Sequence, residues 1–121
     1  MELENEFGIK FHNSIVEYFN SYWFAELDGF IKNYYVKLEP VLPDYELNSF
    51  SDLLNGYRNN HQNKLNYIPL GMEGNGLLVV IDNSSGKVYL EDFERKNFEY
   101  MIDDIAALIN NLRLWKGNLD S

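Results

Sequence analysis

From Asn66 to Asp92 the chain reads NYIPLGMEGNGLLVVIDNSSGKVYLED, and this stretch limits the possible folds more than any other. Tyr67 to Leu70 is a short apolar run stopped by Gly71. Leu77 to Ile81 is rich in β-branched residues, and Val88 to Leu90 resumes the pattern after the polar run Asp82 to Lys87. Two turn clusters between three apolar runs predict an antiparallel β-meander. Gly74 to Gly76 could present backbone amides to an anion, but it lacks the Lys-Ser/Thr of a phosphate loop and opens a strand rather than a helix. Both it and Ser84 to Gly86 read as turns.

Helical spacing flanks the meander. Phe11, Ile15, Tyr18, Phe19 and Tyr22 recur at intervals of three and four, predicting a helix from Phe11 to Trp23, capped by Asn13 or Ser14 with Glu17 completing a capping box. Phe24 to Phe30 reads as the close of that helix, with Gly29 as a turn. Asn33 to Glu39 alternates as a strand does, with Tyr34, Val36 and Leu38 on one side and Tyr35, Lys37 and Glu39 on the other. Pro40 and Pro43 end it, and Glu39 to Glu46 is expected to be an exposed connection. A short second helix starts at Asn48 or Ser49 and buries Phe50, Leu53, Leu54 and Tyr57. Phe93 to Asn97 reads as a charged loop. Phe98 to Leu114 reads as the last helix, burying Met101, Ile102, Ile105, Leu108, Ile109 and Leu112, before a tail in which Gly117 is the stop. Strands joined by short turns, with helices segregated before and after, predict one α+β domain: a mainly antiparallel sheet covered by N-terminal and C-terminal helices.

Composition narrows the function. The 121 residues suffice for one core that buries about two thirds of the unfolded surface. No cysteine is present, so disulfides and thiolate metal sites are excluded and a reducing cytoplasm is the expected compartment. The acidic start, Met1 to Glu6, lacks the basic region of a secretory signal, and no apolar run reaches membrane-spanning length, so membrane insertion is not expected. A net charge of −9 opposes direct nucleic-acid binding and favours a basic partner. The charge is uneven, with ten acids against three bases in residues 1–54 and nine against seven in residues 55–121.

Candidate chemistry is sparse. Asp82, Glu91, Asp92 and Glu94 read as a solvated rim at strand ends, and Asp103 and Asp104, adjacent on a helix, would diverge by about 100°. His12 and His61 have no acid at metal-motif spacing, and no Gly-x-Ser-x-Gly elbow exists. Neither an enzymatic activity nor a cofactor or metal is implied. What remains is an acidic and aromatic surface in the first half: Glu26, Asp28, Tyr34, Tyr35, Glu39, Asp44, Tyr45, Glu46 and Asp52. Tyrosine rings supply contact area and carboxylates supply steering toward a basic protein; the same residues serve equally as a solubilising face.

The runs Tyr67 to Gly71, Gly76 to Asp82, Gly86 to Leu90 and Met101 to Leu112 resemble the SUKH superfamily. Its pattern is a Pro-Ile/Leu-Gly strand, an apolar strand ending in Asp, a Gly-x-Val-Tyr strand and a terminal helix. The superfamily includes bacterial immunity proteins, a fungal cell-wall regulator and the SecY-interacting protein Syd. The resemblance covers the C-terminal half. In the first half, Leu42 to Tyr45 echoes a fragment of the usual opening, whereas Phe19 to Trp23 and Phe50 to Tyr57 are arranged more as in the Syd branch. The resemblance implies a small cytoplasmic protein, monomeric when free, that binds rather than catalyses. It points first to an immunity protein that neutralises a basic toxin domain, such as a contact-dependent nuclease, through Glu26, Asp28, Tyr34, Glu39, Asp44, Tyr45, Glu46 and Asp52. The alternative is a Syd-like module for basic cytoplasmic loops of the SecY translocon.

Overall fold

The computed structural model describes residues 2–21, 27–38 and 47–120, and these form helices packed on one antiparallel sheet of six strands, an α+β fold. In chain order the elements are α1 (Glu2–Phe7), α2 (Asn13–Ser21), β1 (Leu27–Ile31), β2 (Tyr34–Leu38), α3 (Leu47–Asn60), β3 (Tyr67–Glu73), β4 (Leu78–Asp82), β5 (Val88–Asp92), β6 (Asn97–Ile102) and α4 (Ile105–Asp120). Strand order in space follows strand order in the chain. The predicted meander is β3 to β5, bounded by turns at both expected glycine clusters: the Gly76 amide donates to Glu73 O at 2.9 Å and the Gly86 amide to Asp82 O at 2.9 Å.

Register sorts the side chains into two faces. Ile68, Ile81 and Val88 lie side by side on one face, with Val79 and Leu90 in the next row. They join Phe11, Ile15, Tyr18 and Phe19 and the buried α4 residues Ile105, Leu108, Ile109 and Leu112 in a single core. On the other face a row crosses all six strands: Asp28, Lys37, Met72, Leu78, Glu91 and Phe98. α3 packs on β3 and covers part of this second face, while α4 runs along β1 and touches α2 and β6. Val79, Val80 and Ile81 are each fully buried, so β4 is covered on both sides. Edge-on ring contacts of Phe50 with Phe19, 4.7 Å between centroids, and with Tyr18, 6.4 Å, tie α3 to α2.

The sheet curls strongly enough to bring its ends together. Tyr34 of β2 donates from its hydroxyl to Glu99 Oε2 of β6 at 2.5 Å, and Lys32, in the β1–β2 turn, lies 5.2 Å from the Tyr100 ring centroid. A register shift between Pro69 and Gly71 supplies a bulge in β3, which accommodates a proline in an interior strand. Gly71 sits where a Cβ would lie 2.1 Å from Lys37 O, so only glycine allows β2 and β3 to approach this closely. Gly86, at φ +79°, similarly lets the β4–β5 turn close on the His12 ring. That turn is anchored by Asn83, whose Oδ1 accepts from the His12 amide at 2.8 Å and whose Nδ2 donates to Lys10 O at 3.0 Å.

Several expectations need correction. α1 was not anticipated. α2 starts after His12, whose carbonyl accepts from the Ile15 amide at 2.9 Å and whose Nδ1 accepts from the Ser14 amide at 3.2 Å, so the cap is His12 rather than Asn13 or Ser14. Leu27 to Phe30 is strand, not helix end, because Gly29 pairs opposite Val36 within the ladder. Asn97–Ile102 is likewise strand, and the last helix begins only after Asp103 and Asp104. Asp104 caps it, its Oδ1 accepting from the Ala107 amide at 2.7 Å. Gly117 falls inside α4 rather than at its stop. The expected connection Glu39 to Glu46 lies outside the described residues.

Candidate functional site

The buried stripe of α3 runs Phe50, Leu54 and Tyr57, and the half-buried His61 follows four residues on, in the turn just past the end of the helix. This places two polar rings over Glu91 of β5, which faces α3 and not solvent. Glu91 is 3% exposed, so it is not part of the solvated rim expected from the sequence. Its carboxylate is held at both oxygens. The Tyr57 hydroxyl donates to Oε1 at 2.6 Å, and His61 Nε2 lies 2.5 Å from Oε2. His61 Nδ1 is 2.6 Å from the Tyr57 carbonyl, so both ring nitrogens lie against oxygen atoms and the ring is fixed at both ends. The His61 ring stacks on Tyr57 with centroids 3.7 Å apart and meets the edge of Phe93 at 5.2 Å. Burial, followed by the hydrogen bond and charge of Glu91, pushes the Tyr57 hydroxyl far above the usual phenol range, so it remains a donor.

Two grooves meet at this triad and share Tyr57, Asn60, His61 and Phe93 as walls. The larger, about 690 Å³, has an apolar floor of Leu53, Pro69, Leu77 and Leu78 and a rim that includes Asp52, Asp92 and Glu94. Its one arginine, Arg95, is exposed and lies 3.7 Å from Asp92. The smaller, about 510 Å³, is bordered by Tyr67, Phe98, Lys64 and Lys96. The loop between them turns sharply after α3. Gln62 and Asn63 both take positive φ, 59° and 61°, and the Asn63 amide donates back to Arg58 O at 2.8 Å in a Schellman-type closure.

The predicted contact residues are dispersed. Asp28 of β1 accepts the Tyr35 hydroxyl, and the Tyr35 ring lies tilted against that of Phe30 with centroids 5.3 Å apart. Phe30, Tyr35 and Met72, all exposed, form an apolar patch on the second face of the sheet beside Lys37. Tyr34 points to the opposite face, where its hydrogen bond to Glu99, with the charges of Glu99 and Glu73, raises its hydroxyl above the ordinary value. Asp52 belongs to the larger groove. Glu26, Glu39, Asp44, Tyr45 and Glu46 lie outside the described residues.

Glu91 and His61 were missed by sequence reasoning. The available signal was the i, i+4 spacing of Tyr57 and His61, which continues the stripe of α3 into what read as a polar run. Among the described residues no cluster of three or more metal-ligating side chains occurs, and no helix is long and apolar enough to cross a membrane.

No family model matches the chain. Among curated proteins it is similar to Protein Syd of Idiomarina loihiensis, with 28% identity over 114 residues, covering 91% of this chain. The chain spans 62% of that relative's length.

Proposed function

We propose that this protein is a Syd-like member of the SUKH superfamily that works by binding, taking a basic, partly apolar segment of another protein into the acid-rimmed groove beside α3. The observation that carries this is the composition of the groove: Asp52, Asp92 and Glu94 around a floor of Leu53, Pro69 and Leu78, in a chain of net charge −9. Carboxylates at the rim steer and orient a cationic segment, while the floor supplies the desolvated area that holds it. The similarity to Protein Syd, spread over 91% of the chain, favours the basic cytoplasmic loops of the SecY translocon as partner, with action at the cytoplasmic face of the membrane. Asp28 and the exposed Phe30, Tyr35 and Met72 extend the same face of the sheet and widen the contact. A second reading keeps the groove and changes the partner: a basic toxin domain neutralised by occlusion of its cleft, favoured by the meander motifs shared with SUKH immunity proteins.

Binding of detergent-solubilised SecY complex to the immobilised protein, measured at low and moderate salt, tests the proposal. Association should slow about tenfold in the Asp52→Lys, Glu94→Lys double variant and fall with salt, with dissociation little changed. Absence of a complex at low salt would remove SecY. Capture of a basic toxin domain in its place, with the same loss in the double variant, would select the second reading. Unchanged association in that variant would remove the groove.

A further inference from the structure

The smaller groove differs in character from the rest of this acidic molecule. Lys64 and Lys96 stand at its border, and neither has an acid partner among the described residues. Among the described residues that line it the only carboxylate is Glu91, already engaged by Tyr57 and His61. The aromatic wall consists of the Tyr67–Phe98 stack, centroids 4.4 Å apart and 21° from parallel, together with the exposed ring of Phe93. Asn60, Gln62 and Asn66 complete the lining, and their side-chain amides hydrogen-bond to no described residue.

Each part matches one part of a single ligand class. Exposed aromatic rings accept a planar heterocycle by stacking. Carboxamides both donate and accept, as the edge of a nucleobase requires. Two unpartnered ammonium groups suit a phosphate. The volume of about 510 Å³ lies within the usual span of small-molecule sites, roughly 300–1,000 Å³. We infer that this groove binds a nucleoside monophosphate, the base against Phe98 and Phe93 and the phosphate between Lys64 and Lys96. A long polyanion is disfavoured by the −9 charge, whereas a single phosphate at the border sits beside the two lysines, and the Glu91 carboxylate in the wall is already hydrogen-bonded to Tyr57 and His61. The two grooves share Phe93 and Asn60, but the inference is tested separately from the partner proposal because Lys64, Lys96 and Phe98 line the smaller groove alone.

Titration of the full chain with AMP, GMP, CMP and UMP, followed by calorimetry and by amide chemical shifts, tests it, with adenosine and inorganic phosphate as partial ligands. At least one monophosphate should bind about tenfold more tightly than either adenosine or phosphate alone, shifting the amides of Lys64, Asn66 and Phe98. Lys64→Glu with Lys96→Glu should weaken it about tenfold or more, while Lys10→Glu, a reversal at an exposed lysine that lines neither groove, leaves it within twofold. Both lysines are exposed, so the double variant is expected to fold, and its amide spectrum checks this. Inorganic phosphate binding as well as every nucleotide would overturn the base subsite. No shifts at millimolar nucleotide, or shifts confined to the larger groove, would overturn the site.

Discussion

Tyr57→Phe isolates one bond in the buried triad. The substitution keeps the ring that stacks on His61 and removes only the hydroxyl, which lies 2.6 Å from Glu91 Oε1. Glu91 is 3% exposed, so water does not readily replace the lost donor. A hydrogen bond to a charged group contributes about 1.5–3 kcal/mol, and about 2 kcal/mol is expected here at pH 7. With the usual unfolding entropy per residue, that is a fall of about 8 °C in Tm for a chain of 121 residues. The pH dependence gives a sharper reading. Unfolded Tyr57 titrates near 10.0, and the folded hydroxyl is held well above that. Above pH 10 the unfolded chain therefore releases a proton that the folded chain keeps, and the stabilisation is lost as pH rises. Phenylalanine has no such titration. The gap between wild type and variant should thus be constant from pH 7 to 9 and shrink above pH 10 by up to about 1.4 kcal/mol per pH unit. Urea unfolding at pH 7, 9, 10 and 11 measures it. A gap below about 0.5 kcal/mol at pH 7, or one that stays level to pH 11, refutes the account of Glu91 as a carboxylate held by a permanent phenol donor.

Three further substitutions test the frame that holds this site. Gly71→Ala would drive a methyl group into the backbone of Lys37 and Leu38, at 2.1 and 2.8 Å, and should cost about 3 kcal/mol or more in chemical unfolding. Asp104→Ala removes the cap of α4 and should cost about 1 kcal/mol, read in the same assay. Gln62→Gly relieves a positive φ of 59° at the C-terminal closure of α3 and should raise stability by about 0.5–1 kcal/mol; a lower Tm would show that the Gln62 side chain contributes more than its backbone strain removes.

The meander and α3 were legible because each carries one dominant signal: glycine-bounded β-branched runs in the first and a regular apolar stripe in the second. β6 was not legible, because its solvent side carries Phe98 and Tyr100 and its buried Met101 falls in phase with Ile105 and Leu108 of the helix that follows. A strand with exposed aromatics beside an amphipathic helix reads as one longer helix. β1 was hidden by Gly29, which suggests a break until the partner strand is known. Of the site, Asp52 could be read as an exposed acid. Glu91 could not, since alternation with buried Leu90 assigns it to solvent unless a helix covers the second face, and that depends on the path between β2 and β3. The charge contrast between the two grooves is likewise a product of folding, as Lys64 and Lys96 come from separate loops.

The agreement between strand order and chain order also bears on how the molecule assembles. Four of the five strand pairings join neighbours linked by short turns, and only β2 to β3 must wait for α3 to bridge them. Loop-closure entropy is therefore small at nearly every step, and the sheet can be zipped from hairpins without a long search. The long-range side-chain hydrogen bonds of Tyr34 to Glu99, and of Asn83 to Lys10 and His12, join parts of the fold that the hairpins alone do not connect. They tie β2 to β6 and the β4–β5 turn to the segment that leads into α2, so the curl of the sheet and its closure against the N-terminal helices are held by side chains far apart in the sequence.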